Sequence, residues 1–400
     1  MLQADTVKIL ALRVLWSSIL LQSVMVPFFV WKGLSFSEIL FVQSSFSLML
    51  LALELPTGYV GDLVGRRAML ILAAAARASA GAAFVVLEGF WGMMIAYAFV
   101  AISITAFSGT DIAALYESLQ GEKPGSRKRD RNLAAFYWLP YIASSVSALI
   151  GGAVYGLSVE LAVALNFVAT AATVPIALSI GRGRLPDQPG AGTGNRQILH
   201  ARIAEYLRKR SVVGAVVSAA AFTLPFSATI YTFQALWLAG SFSPAAMGLV
   251  FAMGGAVSAL AAFFYGRVAR LLGARRVYLA CIALIVAGLL LPLAGSPVAS
   301  VLGMLMILAA EGAMAVFHAG LVNAAIGNEV RASINSVIGF LSKLLAAATV
   351  FAAAKAVAAN VTGEFPFLLT VGVFLVFVLS SARSVLALTA PGEREQRLAS

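Results

Sequence analysis

The sequence predicts an all-α integral membrane protein of twelve transmembrane helices, arranged as two six-helix pseudo-symmetric halves. Three observations carry that prediction: a composition too apolar for a water-soluble core, long apolar runs separated by short charged breaks, and an internal repeat relating the second half of the chain to the first. Of the 400 residues, 61% are hydrophobic and 11% charged, and the mean hydropathy is +0.93. That is more apolar surface than a soluble domain of this length buries.

Cutting the chain at charged or Gly/Pro-rich breaks gives spans at 8–31, 36–60, 68–87, 91–119, 132–157 and 159–181, and six more at 211–239, 245–266, 276–294, 298–324, 332–357 and 366–388. Each is read as a helix, because backbone groups in lipid must be satisfied within the segment and barrel strands would alternate over about ten residues. The first run is too long for the apolar core of a signal peptide, has no basic leader and is followed by no A-x-A site, so it is read as a retained span.

The breaks after spans 2, 4, 6, 8 and 10 gather the cations. They hold Arg66 and Arg67; Lys123, Arg127, Lys128, Arg129 and Arg131; Arg182, Arg184, Arg196, Arg202, Arg208, Lys209 and Arg210; Arg267, Arg270, Arg275 and Arg276; and Arg331. The opposite side carries Lys32. The arginine-rich side is therefore read as the inner, cytoplasmic one, and both termini lie there. On this reading the net charge of +11 reports topology and not nucleic-acid binding. Trp31, Trp91 and Trp237 fall at outer ends of spans 1, 4 and 7, where an aromatic belt is expected.

The longest polar segment divides the chain into an N-terminal bundle at 1–181, a linker at 182–210 and a C-terminal bundle at 211–400. The linker opens Gly/Pro-rich and closes on RQILHARIAEYLRKR, which places Leu199, Ile203, Tyr206 and Leu207 on one helical face. Two readings stay open for that helix: it lies on an anionic leaflet, or it is solvated.

Between spans 2 and 3 stands GYVGDLVGRRAML, and between spans 8 and 9 stands GRVARLLGARRVYL. At an offset of 208 residues Gly58 and Gly65 align with Gly266 and Gly273, and Asp62 aligns with Arg270. A repeat on this scale points to two related halves. The pattern G-x-x-x-D-x-x-G-R-R, its degenerate second copy, the twelve spans and the long central segment together resemble the major facilitator superfamily over the whole chain.

That resemblance implies the superfamily's fold and secondary transport by alternating access, with no cofactor and no enzymatic step. It also implies that Asp62 stabilises an outward-open state by capping the start of helix 11 near Ala332 and Ser333, and that Arg66 or Arg67 pairs with Glu117 at the inner end of helix 4. An aspartate beside a helix N-terminus gains roughly 0.3–1 kcal/mol, and Gly58 and Gly61 would let helices 2 and 11 approach closely. The segments ELPTGYVGD and SGTDIAALYESL look like those of bacterial exporter-like members, which implies export across a bacterial inner membrane. The arginine in helix 4 that marks drug/proton antiporters is missing, and of their helix-5 G-P-x-x-G-G element only Gly151, Gly152 and Gly156 are kept.

Charges inside spans are costly unless paired or hydrated. They are Arg13, Glu54, Arg77, Asp111, Glu311, His318 and Lys343. In the superfamily helices 1, 4, 7 and 10 line the cavity, so Arg77 in helix 3 is expected to be structural, and Asp111, Glu311 and His318 are the candidates for proton coupling. Glu311 lies near mid-bilayer, and His318, seven residues on, shares its helical face. The rival for Glu311 is a permanent ion pair with Lys343. Phe222, Phe226, Phe233 and Trp237 form one narrow stripe on helix 7, read either as a wall of the substrate cavity or as packing.

Other classes fit poorly. The chain contains no Gly-Lys pair and so no Walker A loop. Its two histidines, His200 and His318, fall in different regions, which disfavours a membrane-embedded enzyme. Cys281 is the only cysteine, so neither an intramolecular disulfide nor a thiolate metal site is expected. The expectation is a monomeric, proton-coupled exporter of a small amphiphilic or lipophilic compound, in contact with substrate, protons and lipid; uptake of a small metabolite is the alternative.

Overall fold

The computed structural model describes residues 2–119, 126–181, 205–326, 331–360 and 364–388. Every regular element among them is helical, and twelve segments are long and apolar enough to cross a membrane. The first is broken into α1a (Leu2–Ser17) and α1b (Met25–Trp31) around a 3-10 turn at Leu20–Val24. Then come α2 (Phe36–Val64), α3 (Arg66–Val86), α4a (Gly89–Phe107) with α4b (Thr110–Ser118), α5 (Arg127–Leu157), and α6a (Val159–Ala171) with α6b (Thr173–Ser179). The remainder are α7 (Arg210–Ala239), α8 (Pro244–Leu272), α9 (Ala274–Leu290), α10 (Pro297–Ala325), α11 (Arg331–Ala358) and α12 (Phe365–Leu388).

Local chemistry explains where these helices start and stop. Ser35 and Glu38 form a reciprocal capping box before α2, with the Ser35 N–H donating to Glu38 Oε2 at 2.8 Å. Ser158 caps α6a by accepting from the Leu161 N–H at 3.1 Å. Gly109, at φ +78°, separates α4a from α4b.

The two copies of the repeated loop turn in the same way. Gly65 and Gly273 take φ of +82° and +84°, and each N–H donates at 3.0 Å to the carbonyl four residues back, Gly61 and Ala269 respectively. The next helix then begins by bonding to each glycine carbonyl, from Met69 and from Val277, both at 3.2 Å. Positive φ of this kind is where glycine is needed.

One side chain bridges the break in the first span. In an unbroken helix the Val26 N–H would donate to the Gln22 carbonyl. Here the Gln234 side chain stands between them: Val26 N–H donates to its Oε1 at 2.9 Å, and its Nε2 donates to the Gln22 carbonyl at 3.0 Å. Gln234 is fully buried and acts as an extra amide spliced into the ladder.

The chain forms two compact units, residues 1–190 with 234–255, and residues 191–233 with 256–400. In the first, Ile9, Leu12, Trp16, Leu70, Phe107 and Leu115 belong to a core shared by α1a, α3 and α4. The same unit contains a close crossing of α5 and α8, where a Cβ on Gly152 would run into Pro244 and Gly248 and one on Gly248 into the Ala148 carbonyl. In the second, Val212, Val216, Val322, Ile326 and Ile334 form a core against which Tyr206 and Leu207 pack. The apolar face at the end of the linker thus packs on protein; residues 205–208 are helical, and Leu199, Ile203 and the rest of 182–204 lie outside the described residues.

Candidate functional site

The helix ends around the first copy of the repeated loop concentrate polar contacts. The Arg66 guanidinium pairs with Glu117 and also donates to the Ala113 carbonyl at 3.2 Å, tying the start of α3 to α4b. Arg67 instead donates to the Ile180 and Leu178 carbonyls at 2.7 and 3.0 Å. Lys8 reaches the Ser179 carbonyl at 2.5 Å and Asp5 at 3.2 Å. Two cations therefore cap the last carbonyls of α6b, where the helix dipole favours positive charge. The Asp62 side chain lies outside the described residues, as do those of Ala332 and Ser333. Within the first unit a Cβ on Gly58 would meet nothing within 4 Å, and one on Gly61 would touch Met69 at ordinary distance.

Deeper in this unit, Asp111 occupies the first turn of α4b and pairs with Arg13 of α1a. Asp111 is 3% exposed. The Arg13 guanidinium also lies 4.5 Å from the Phe136 ring centroid, a cation–π contact that adds to the pair. Trp16 stacks on Phe107 at 3.8 Å, and Arg77 donates to the Trp16 carbonyl while its guanidinium sits 4.5 Å from the Trp16 ring. Asp111 is thus a partner of Arg13 and not a lone acid.

In the second unit Glu311 is half-buried on α10 and accepts the Phe226 N–H at 3.2 Å. Pro225 stands immediately before Phe226 inside α7 and supplies no N–H to the ladder. Lys343 is half-buried on α11.

His318 does not join Glu311. Its Nδ1–H donates to the Met314 carbonyl at 2.9 Å, which leaves Nε2 to accept from Ser218 Oγ at 2.9 Å; Ser218 in turn accepts from Tyr278 Oη at 3.0 Å. A carbonyl only accepts, so this direction follows for a neutral ring. The ring is 6% exposed and packs beside Phe222 and Phe317, each 5.1 Å away. Sharing a helical face with Glu311 left the two about 10 Å apart along the axis, at 1.5 Å per residue.

The aromatic stripe divides. Phe222 packs against Tyr278 and Phe374, Phe233 against Phe367 at 4.9 Å, and Trp237 against Phe242 and Phe251. All three are at most 2% exposed. Phe226 is half-buried and is the member left with an open side. Trp237 is therefore core and not a belt residue, whereas Trp31 and Trp91 are 44% and 74% exposed.

Sequence reasoning missed the Arg13–Asp111 pair, the Ser218–Tyr278 partners of His318, and Gln234. The pair had a signal, since two opposite charges stood in the inner parts of helices 1 and 4. Gln234 offered only a polar residue in an apolar run. Among the described residues no group of three or more His, Cys, Asp or Glu is arranged to hold a metal.

No protein-family model matches the chain, and no curated protein matches it. The fold does match solved structures. The nucleoside transporter NupG superposes with a TM-score of 0.72 at 16% identity, covering 97% of this chain and 99% of that one. The POT family transporter PepTSo gives 0.71 at 14% identity over 96% and 98% of the two chains. A bacterial homolog of the human lysosomal transporter Spinster, in an inward-facing and occupied conformation, gives 0.65 at 14% identity over 97% and 96%. At such identities the likeness is one of fold.

Proposed function

We propose that the chain is a secondary transporter that works by alternating access, resides in a bacterial inner membrane with both termini cytoplasmic, and exports a small amphiphilic or lipophilic compound in exchange for protons. The twelve spans, the repeated loop and the fold shared with transporters support the class. Glu311 carries the coupling reading. It is an acid within an apolar span whose described contact is one backbone amide, and that amide follows Pro225 in α7. A carboxylate held by one N–H keeps most of its desolvation cost, whereas the protonated group does not. Gain or loss of a proton at Glu311 changes the strength of its bond to the Phe226 N–H, which links the charge of α10 to α7. Phe226, beside the same amide and partly open, is the stripe residue best placed to touch substrate.

Two further roles belong to this proposal. Asp62 with Arg66 and Glu117 forms the inner gate, and the bundles at 1–181 and 211–400 are the moving parts. Proton-coupled uptake of a small metabolite is the second reading, favoured by neighbours named for nucleosides and peptides.

Glu311→Gln tests the coupling. The amide oxygen of glutamine accepts the same Phe226 N–H, so stability in detergent should change by about 1 kcal/mol or less, substrate binding should persist, and accumulation driven by a pH gradient should be lost. If Glu311 is instead the permanent partner of Lys343, the single variant should lose about 3–5 kcal/mol by stranding the lysine. Recovery of both stability and gradient-driven flux on adding Lys343→Met would then defeat the proton-carrier role.

A further inference from the structure

We infer that the loop joining α8 to α9 binds the phosphate headgroup of an anionic phospholipid, whose acyl chains lie along the exposed apolar face of α8. The two loop copies share a backbone but not a charge. The first, 58–67, carries Asp62, Arg66 and Arg67, a net +1; the second, 266–276, carries Arg267, Arg270, Arg275 and Arg276, a net +4, with an arginine in the place of the acid. In the first copy Arg66 and Arg67 are taken up by Glu117 and by the carbonyls of Ala113, Leu178 and Ile180. In the second all four arginines are exposed, and among the described residues no hydrogen bond or ion pair engages any of them. Arg267 rests on the Phe264 ring, 5.7 Å from its centroid.

The surroundings select a lipid over a soluble anion. Leu260, Phe264, Arg267 and Leu271 recur at the spacing of one helical face, and Phe263 stands seven residues before Arg270 on a neighbouring line. Leu260 is 56% exposed, Phe263 73% and Leu271 82%. Apolar side chains of that exposure near the end of a membrane-spanning helix face acyl chains, and arginines at its last turns extend to the headgroup level. Guanidinium groups bind phosphate oxygens with two parallel N–H donors each, so several converging on one loop can hold a phosphodiester that zwitterionic lipid, with its own cation, would not replace.

The full chain reconstituted in phosphatidylcholine vesicles, with trace spin-labelled phosphatidylglycerol or phosphatidylcholine, tests this. The wild type should retain labelled phosphatidylglycerol in preference to phosphatidylcholine, and the preference should fall as salt is raised. Each arginine-to-glutamine change at 267, 270, 275 or 276 should reduce the preference by about fivefold, the factor corresponding to about 1 kcal/mol per surface arginine. Arg270→Asp, which places the acid of the first copy here and takes the loop from +4 to +2, should cost as much as removing two arginines. Lys209→Gln with Arg210→Gln, on the inner side but on another segment, should leave the preference intact. The proposal is overturned if that control loses as much as the loop variants, if Arg270→Asp leaves the preference unchanged, if salt has no effect, or if glycerol phosphate displaces the labelled lipid, which would make the loop a site for a free phosphate.

Discussion

Asp111 and Glu311 are both acids inside apolar spans, and the two units treat them differently. Asp111 is closed off by the Arg13 guanidinium and by a helix N-terminus, with Phe136 stacked on the arginine. Glu311 is given one amide, that of the residue following a proline inside the helix that supplies it. The first arrangement fixes a charge, since removing either partner strands the other. On the proposed reading the second would leave the charge to be set by proton binding, with the Phe226 amide as its one described partner. Cost alone does not mark a functional acid in a membrane; how that cost is met does.

The largest test of this contrast is Asp111→Asn. Loss of the carboxylate leaves Arg13 uncompensated and should lower stability by about 3 kcal/mol, against about 1 kcal/mol or less for Glu311→Gln; thermal unfolding of the two variants in one detergent compares them directly. Pairing Asp111→Leu with Arg13→Leu should recover most of the loss, and equal destabilisation by the Asp111 and Glu311 variants would erase the distinction.

A smaller effect is expected at the inner seam. The Arg66 and Glu117 side chains are 42% and 17% exposed, so solvent screens them, and a double-mutant cycle of Arg66→Gln with Glu117→Gln should give a stability coupling of about 0.2–1 kcal/mol. A coupling as large as that of Arg13 and Asp111 would mean that exposure does not rank these pairs.

The smallest effect belongs to Lys32, between α1b and α2, which is 5% exposed and donates to the Val85 carbonyl at 3.3 Å. Burial lowers its pKa below the free value of 10.5, and Glu88 offsets part of that. The folded chain therefore releases this proton more readily than the unfolded one, and its contribution to stability should rise as pH climbs toward 10.5, over the interval between the folded and unfolded values. Lys32→Met should flatten that alkaline rise by a few tenths of a kcal/mol, read from unfolding midpoints across the interval.

The fold was legible because lipid leaves so few solutions. Hydropathy located every span, and the interior breaks at Gly33, Gly65 and Gly273 coincide with turns at positive φ. The site was less legible because spacing along one helix does not say which neighbour a face meets. His318 shares a face with Glu311, yet Ser218 of α7 and Tyr278 of α9 take it away. The spacing of Phe222, Phe233 and Trp237 is that of a stripe whichever side it faces, and only packing showed it to be interior. Arg13 and Asp111 were both visible as costly charges, and opposite sign was the clue to their union.

The splice made by Gln234 has a consequence for how the chain is made. Val26 and Gln234 are 208 residues apart, a separation that takes roughly 10–40 s to synthesise at about 5–20 residues per second. During that interval the Val26 amide and the Gln22 carbonyl have one another as the ordinary ladder partners, and lipid offers no other. The bridge that Gln234 makes between the Val26 amide and the Gln22 carbonyl is thus a late event in biosynthesis, closed only once the seventh helix has been made.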